Sequence, residues 1–303
     1  METTLDLQYR QCLDLARSHY ENFPVASPLI PARLRPHVAA VYAFARCADD
    51  VADESPLPAS QKTALLGALA EAVRLQTPLP PPWDELLPGA RWFLPPLMDT
   101  ARRFAIDETL LTDLLDAFAQ DVVRARYDQW EDLLDYSRRS ANPVGRLVLR
   151  LFGQDTPENL AASDLLCTGL QLANFWQDIA LDLRDRDRIY IPAAIAAEHG
   201  VDLEHLLGGQ NGQKNLQNLV AGLVRRTTPL FLESWPLVGR LKGRLKLEIA
   251  ATWWGGASIL QGLADTGFQP WVQRPSLSKA DLLKGWRPIL FPPRHPPLLS
   301  RAD

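Results

Sequence analysis

Residues 171–182 contain neither glycine nor proline, and apolar residues recur at about every third or fourth place, so the spacing predicts a helix. Along it Asn174, Asp178 and Asp182 stand at i, i+4 and i+8, which stacks three polar side chains in one column. Two carboxylates one turn apart repel by about 0.2–0.5 kcal/mol, and aspartate is a weak helix former. A greasy helix carries such a column at little cost only where it meets water or a cation. Any fold that buries the rest of this helix must leave that strip open.

A second acidic stretch lies far upstream. In residues 42–54, Asp49 and Asp53 are again one turn apart among apolar neighbours, with Asp50 and Glu54 beside them. One such pair alone reads as a solvated helix face. Two, each preceded by a hydrophobic and aromatic run, point further. Opposed across a cavity, they would offer carboxylate oxygens to hard cations. Mg2+ takes oxygen ligands in octahedral geometry and needs one or two carboxylates together with substrate phosphate and water. That is the layout of a site that ionises a diphosphate ester.

The remaining pattern is helical. Helices are expected at residues 5–19, 33–54, 59–76, part of 91–104, 107 to about 127, 158–183, 192–199, 213–234 and 237–264. Pro95-Pro96 marks a start or a kink, and Asp107 suits an N-cap. Pro143 within 130–152 means either a kinked helix or two helices with a turn. Residues 189–192 read as extended, and no alternating strand pattern or repeat appears. The expected class is all-α, a bundle of about ten helices around a central apolar cavity.

At 303 residues and 47% hydrophobic, the chain can bury a large core. No linker divides it before residue 266, so residues 1–266 read as one domain and 267–303 as a tail. A net charge of −4 gives no case for nucleic acid. Cys12, Cys47 and Cys167 make no metal-binding spacing and fit a reduced, cytoplasmic setting. Residues 1–10 lack a signal-peptide pattern. The uncharged runs 165–177 and 249–264 fall short of the roughly 20 apolar residues of a spanning helix. The tail sets Phe268, Trp271, Trp286 and Phe291 among Arg274, Lys279, Lys284, Arg287, Arg294 and Arg301, against only Asp281 and Asp303. That mixture suits peripheral contact with the inner face of a membrane, or a tail that is packed on the protein surface or disordered.

With both acidic stretches placed, the chain resembles the squalene/phytoene synthase family of head-to-head prenyl synthases over roughly residues 10–265. The first motif stands as Asp49-Asp50-Val51-Ala52-Asp53. The second stands as Asn174-Phe175-Trp176-Gln177-Asp178 through Asp182, followed by Arg188-Ile189-Tyr190-Ile191-Pro192. Order and separation agree with the family. Finer wording (His19-Tyr20-Glu21-Asn22-Phe23-Pro24-Val25, residues 35–46, and Ser140-Ala141-Asn142-Pro143-Val144-Gly145-Arg146) is similar to the bacterial hydroxysqualene synthase branch. The resemblance implies an isoprenoid-synthase fold and a Mg2+-dependent enzyme of hopanoid biosynthesis. Presqualene diphosphate would lose diphosphate and the carbocation would be captured by water, giving hydroxysqualene. It also implies a partner prenyl synthase and a downstream oxidoreductase.

Two positions depart from the wider family. Gln177 stands where squalene and phytoene synthases usually place Arg, which speaks against condensation of two prenyl diphosphates and suits the second half-reaction alone. Asp187 replaces the usual Gly before the Arg-x-Tyr segment. No glycine-rich nucleotide loop supports reduction by NADPH.

Residue by residue, Asp49, Asp53, Asp178 and Asp182 are the expected metal ligands, with Asn174 as an oxygen ligand or a partner behind them. Asp50 and Glu54 either bind metal through water or are solvated. Arg46, Arg188 and His19 are expected on the substrate diphosphate, with structural roles as the rival. Tyr127 and Tyr190 would donate to the diphosphate, face the cation or pack. Tyr42 and Phe175 are further substrate contacts. At most two of Phe44, Phe175, Trp176, Trp253 and Trp254 would line an apolar tunnel. Asn174 and Gln177 would anchor the quenching water. The rival activities are squalene, presqualene diphosphate or phytoene synthesis. A rival of another kind is a non-catalytic helical partner of a prenyl synthase.

Overall fold

The computed structural model describes residues 3–18, 29–207, 213–277 and 279–299, the side chains of 279–284 excepted. The described residues form fourteen helices: α1 (Thr4–Ser18), α2 (Arg35–Asp53), α3 (Ala59–Leu75), α4 (Trp83–Leu86), α5 (Ala90–Phe104), α6 (Glu108–Val123), α7 (Trp130–Ser140), α8 (Asn142–Leu151), α9 (Pro157–Arg186), α10 (Ala193–Glu198), α11 (Gln213–Ser234), α12 (Pro236–Arg240), α13 (Gly243–Asp265) and α14 (Lys279–Leu290). An isolated bridge between Arg126 and Ile189 is the one β-type pairing among them.

The chain divides into two units. The first holds Met1–Arg124 and Pro143–Thr156. Its central helix is α2, packed on α1, α5 and α6. Small residues make that packing close: Ala39, Ala40, Ala43 and Ala48 are fully buried. Phe44, also fully buried, meets Phe93 edge-on at 6.3 Å. The Pro95-Pro96 pair does not start or stop α5 but lies inside it. Pro95 has no N–H for the carbonyl of Arg91, and Gln8 of α1 supplies one: its Nε2 donates to Arg91 O at 2.9 Å. A side chain from a neighbouring helix thus satisfies the group that proline leaves orphaned.

The second unit holds Ala125–Asn142 and Pro157–Asp303. The long helix α9 runs through it and packs on α7, α11, α12 and α13. Buried indoles tie these helices together. Trp176 Nε1 donates to Thr227 Oγ1 at 2.9 Å, and Trp253 Nε1 donates to Phe231 O at 2.8 Å. Gly256 lets α13 approach, because a Cβ there would lie 2.7 Å from Phe231 Cε1. Beyond α13 the chain stays on this unit. Trp235 Nε1 donates to Pro293 O at 3.0 Å, and α14 packs on α13.

Boundaries move where tertiary bonds claim the backbone. α6 ends at Val123, short of residue 127, because residues 125–128 pair elsewhere: Ile189 N–H donates to Ala125 O at 2.9 Å and Ala193 N–H to Tyr127 O at 2.9 Å. Residues 130–152 form two helices, with Pro143 in the first turn of α8, where its missing N–H costs nothing. The single helix expected over 237–264 is broken, since Lys242 is extended and Gly243 has φ +62°.

Candidate active site

In the first unit, α2 presents Arg46, Asp49, Asp50 and Asp53 within two turns. Arg46 serves both neighbours, with Nη2 2.6 Å from Asp50 Oδ1 and Nη1 3.9 Å from Asp49 Oδ2. The Asp49 carboxyl is pushed up to about 7, first by burial and then by Asp53, with Arg46 opposing and Asp50 and Asp121 adding to the rise. A carboxylate held this unfavourably is a group in want of a cation. Tyr42 lies on the same helix, half-buried.

That rise fixes a pH signature for the protein without divalent metal. Folded Asp49 keeps its proton up to about pH 7, whereas an unfolded aspartate releases it near pH 4. Stability contributed by this group therefore falls as pH rises from about 4 to 7, and the full cost persists above. The side chain is still 40% exposed, so water screens much of the effect and about 1 kcal/mol is expected. Urea unfolding in chelator at pH 5 and pH 8 should show the loss, and Asp49→Asn should abolish it.

In the second unit, α9 carries the polar column. Asn174, Asp178 and Asp182 are all half-buried, while Phe175, Trp176, Gln177 and Ile179 between them are buried. The open strip on a buried helix is therefore present. A residue of the C-terminal segment reaches it: Arg274 sets Nε 2.5 Å from Asp178 Oδ1 and Nη2 3.2 Å from Asp178 Oδ2. Arg274 is held even more firmly protonated than usual, chiefly by its hydrogen bond to Asp178, with Asp182 adding to the field. Gln177, itself buried, donates Nε2 to Pro275 O at 2.5 Å.

The segment after α9 closes one end of the column. Asp182, Arg188 and Tyr190 line a small recess with Phe175 and Ile179. Asp187 adopts φ +50°, the left-handed region that Gly enters freely and Asp tolerates. Arg126 holds that turn through the Asp187 carboxylate at 2.8 Å and through its carbonyl. Behind it Phe175 stacks on Tyr190 with ring centres 3.7 Å apart, and Tyr127 stacks on Tyr190 at 5.5 Å. Tyr136 completes the cluster, 5.8 Å from Phe175 and 6.0 Å from Tyr190.

Arg274 and Tyr136 were not singled out from the sequence. Tyr136 lies at an ordinary helical position with no motif around it. Arg274 was visible only as one cation of a basic tail. His19 lies outside the described residues. Of the aromatic tunnel candidates, Phe44, Trp176 and Trp253 are fully buried among protein side chains, and Phe175 and Trp254 nearly so.

Each acidic stretch offers only oxygen donors, the chemistry of a hard divalent cation rather than of zinc. The charge-starved Asp49 fits that use. Among the described residues no three His, Cys, Asp or Glu side chains already converge as a metal cluster. Paired carboxylates of this kind suit an ion that brings its other ligands from water and phosphate.

The squalene/phytoene synthase family model matches residues 16–281. A hydroxysqualene synthase of Rhodopseudomonas palustris is 35% identical over 89% of this chain and 85% of its own length. A second, from Zymomonas mobilis, is 33% identical over 87% and 84%. The crystal structure of squalene synthase HpnC from Alicyclobacillus acidocaldarius superposes with a TM-score of 0.77 at 34% identity, covering 88% of this chain and 97% of that one. A dehydrosqualene synthase, 19% identical with a TM-score of 0.75 and covering 95% and 96% of the two chains, shares the fold.

Proposed function

The chain belongs to the squalene/phytoene synthase family, and from that premise we propose that it is a hydroxysqualene synthase acting on presqualene diphosphate. The observation that carries this reading is the open Asn174–Asp178–Asp182 column on an otherwise buried helix, in a chain one third identical to hydroxysqualene synthases. The reaction breaks the carbon–oxygen bond to diphosphate, whose oxygen keeps the electron pair. Water then adds to the carbocation and loses its proton to solvent or to the departed diphosphate.

On α2, Asp49 and Asp53, and on α9, Asp178 and Asp182 with Asn174, are each proposed as Mg2+ ligands. When bound, the ion neutralises charge developing on the leaving diphosphate. The chain's own groups orient that leaving group. Arg46 and Arg188 supply guanidinium forks for phosphate oxygens, a role proposed also for His19. The stacked Phe175–Tyr190–Tyr127 cluster stiffens the wall behind the column and keeps water from its apolar side. Tyr42 would add a contact from α2. Asn174 remains the proposed anchor for the quenching water. Gln177 shares that role through its side-chain carbonyl oxygen and its second amide N–H, since the first is given to Pro275 O.

Purified protein with Mg2+ should convert presqualene diphosphate to hydroxysqualene without NADPH, and chelation should stop it. Squalene or phytoene formed from farnesyl or geranylgeranyl diphosphate would instead assign one of the related condensing activities. On the proposed reading a head-to-head synthase supplies the substrate and an oxidoreductase consumes the alcohol. Residues 1–266 carry most of the chemistry, with Arg274 added from the tail.

No helix among the described residues is long and apolar enough to cross a membrane. We propose peripheral contact through α14. Gly285 abuts the Trp254 indole, so the opposite face points outward. That face carries Trp286 (51% exposed), Arg287 and Leu290, with Phe291 (71%) just beyond. Trp286 and Leu290 lie roughly 100° and 140° around the helix from Gly285. The Trp286→Ser/Phe291→Ser double variant should lose about tenfold in partitioning to anionic vesicles, measured by co-sedimentation.

A further inference from the structure

Residues 267–277 cross the second acidic stretch as a strap with several attachments. Gln177 holds it by Pro275 O. Gly262 makes room for the Pro275 ring, since a Cβ there would stand 3.0 Å from Pro275 Cβ. Gly255 does the same for Leu277, at 3.3 Å. Pro275 is buried as a result. The strap seats Arg274 over Asp178 so that both carboxylate oxygens are engaged by one guanidinium. Neither side chain is sealed in: Asp178 is 25% exposed and Arg274 45%. An ion pair this open contributes little to stability and exchanges its partner readily.

The engaged oxygens are the ones a divalent cation would need. We infer that Arg274 is a built-in substitute for that cation: it occupies Asp178 while no diphosphate is present. It yields the carboxylate when metal and diphosphate arrive together, and its N–H fork then turns to the phosphate oxygens. The inference rests on the diphosphate site proposed above. Its physical basis is that a guanidinium matches carboxylate and phosphate equally well in shape and charge. Moving from one to the other costs little when both are partly hydrated. The strap, fixed by Gln177, keeps the fork within reach of either partner. The order of binding follows. Metal alone must displace Arg274 and gains nothing in return, whereas metal with diphosphate gives the displaced guanidinium a new anion.

This exchange requires two effects of opposite sign. With Arg274 gone, metal alone should bind more tightly, while diphosphate in the presence of metal should bind more weakly. A residue that only supports the fold would weaken both. A residue that only contacts phosphate would leave metal binding unchanged.

The test is calorimetric titration of the full-length chain with Mg2+ alone and then with inorganic diphosphate at saturating Mg2+, for the wild type, R274Q and R274K. For R274Q the expected results are about two- to fivefold tighter binding of Mg2+ alone and at least about tenfold weaker binding of diphosphate. R274K keeps the charge, so its affinity for Mg2+ alone should return toward the wild-type value. Because the fork is lost, its diphosphate affinity should stay low. Unchanged or weaker Mg2+ binding in R274Q overturns the exchange, as does an R274K protein that binds Mg2+ alone as tightly as R274Q. Should R274Q not fold, the R274K comparison decides alone: diphosphate affinity equal to wild type excludes a hand-over to phosphate. If the wild type itself binds no diphosphate with Mg2+, the diphosphate site fails and the exchange with it. If the wild type binds and the variants match it, only the exchange fails.

Discussion

Asp178→Asn is expected to slow turnover of presqualene diphosphate by about 10^2–10^3-fold while leaving the protein folded. A metal ion on a departing oxyanion is worth several kcal/mol in the transition state, and each 1.36 kcal/mol is a factor of ten in rate. Asparagine keeps the shape and one oxygen but removes the charge that would draw the proposed cation to α9. The cost to the fold is small for a separate reason. Among the described residues Asp178 pairs with Arg274, and that pair is open to solvent. Exposed pairs contribute about 0–1 kcal/mol. Single-turnover rates alongside urea unfolding check both halves. A variant that turns over within threefold of wild type would remove Asp178 from the metal site.

Trp253→Ala should do the reverse, costing about 3–5 kcal/mol of stability. That is a large part of the 5–15 kcal/mol that holds a typical domain. The indole is fully buried, lies edge-on to Trp235 at 4.6 Å and to Phe231 at 6.1 Å, and donates to Phe231 O. Ser234 Oγ also donates to that carbonyl, at 2.9 Å, so losing the indole N–H does not orphan it. The loss should therefore come from packing, and Trp253→Phe should recover most of it. The denaturation midpoint is the measurement. A change in product without a drop in stability would show that this ring lines the substrate tunnel instead.

These two residues show what could be read from the chain in advance. Asp178 announced itself because an i, i+4, i+8 polar column is costly in a greasy helix, and the 3.6-residue period placed it on one face. The helices followed from the same periodicity, and their ends were blurred wherever a distant segment claimed the backbone. Residues 125–128 illustrate this: they continue the helical pattern of α6, yet pair with residues 189–194. Trp253 could not be assigned, because a ring that lines a tunnel and a ring that fills a core need the same apolar chemistry. The Pro95-Pro96 pair was ambiguous for the converse reason. Whether proline breaks a helix depends on whether some other group, here Gln8, satisfies the freed carbonyl.

Local pattern alone thus sufficed for the all-helical class, the two acidic ridges and the demand that each stay open. Those are consequences of spacing along one helix, which a linear chain records directly. The placement of Arg274 on Asp178, 96 residues away, is of a different kind. So are the left-handed turn at Asp187 under Arg126 and the use of the Gln177 amide to pin Pro275. Each depends on where the backbone returns in space, and no periodicity in sequence encodes that. Only the folded chain could show that the tail brings a cation to Asp178.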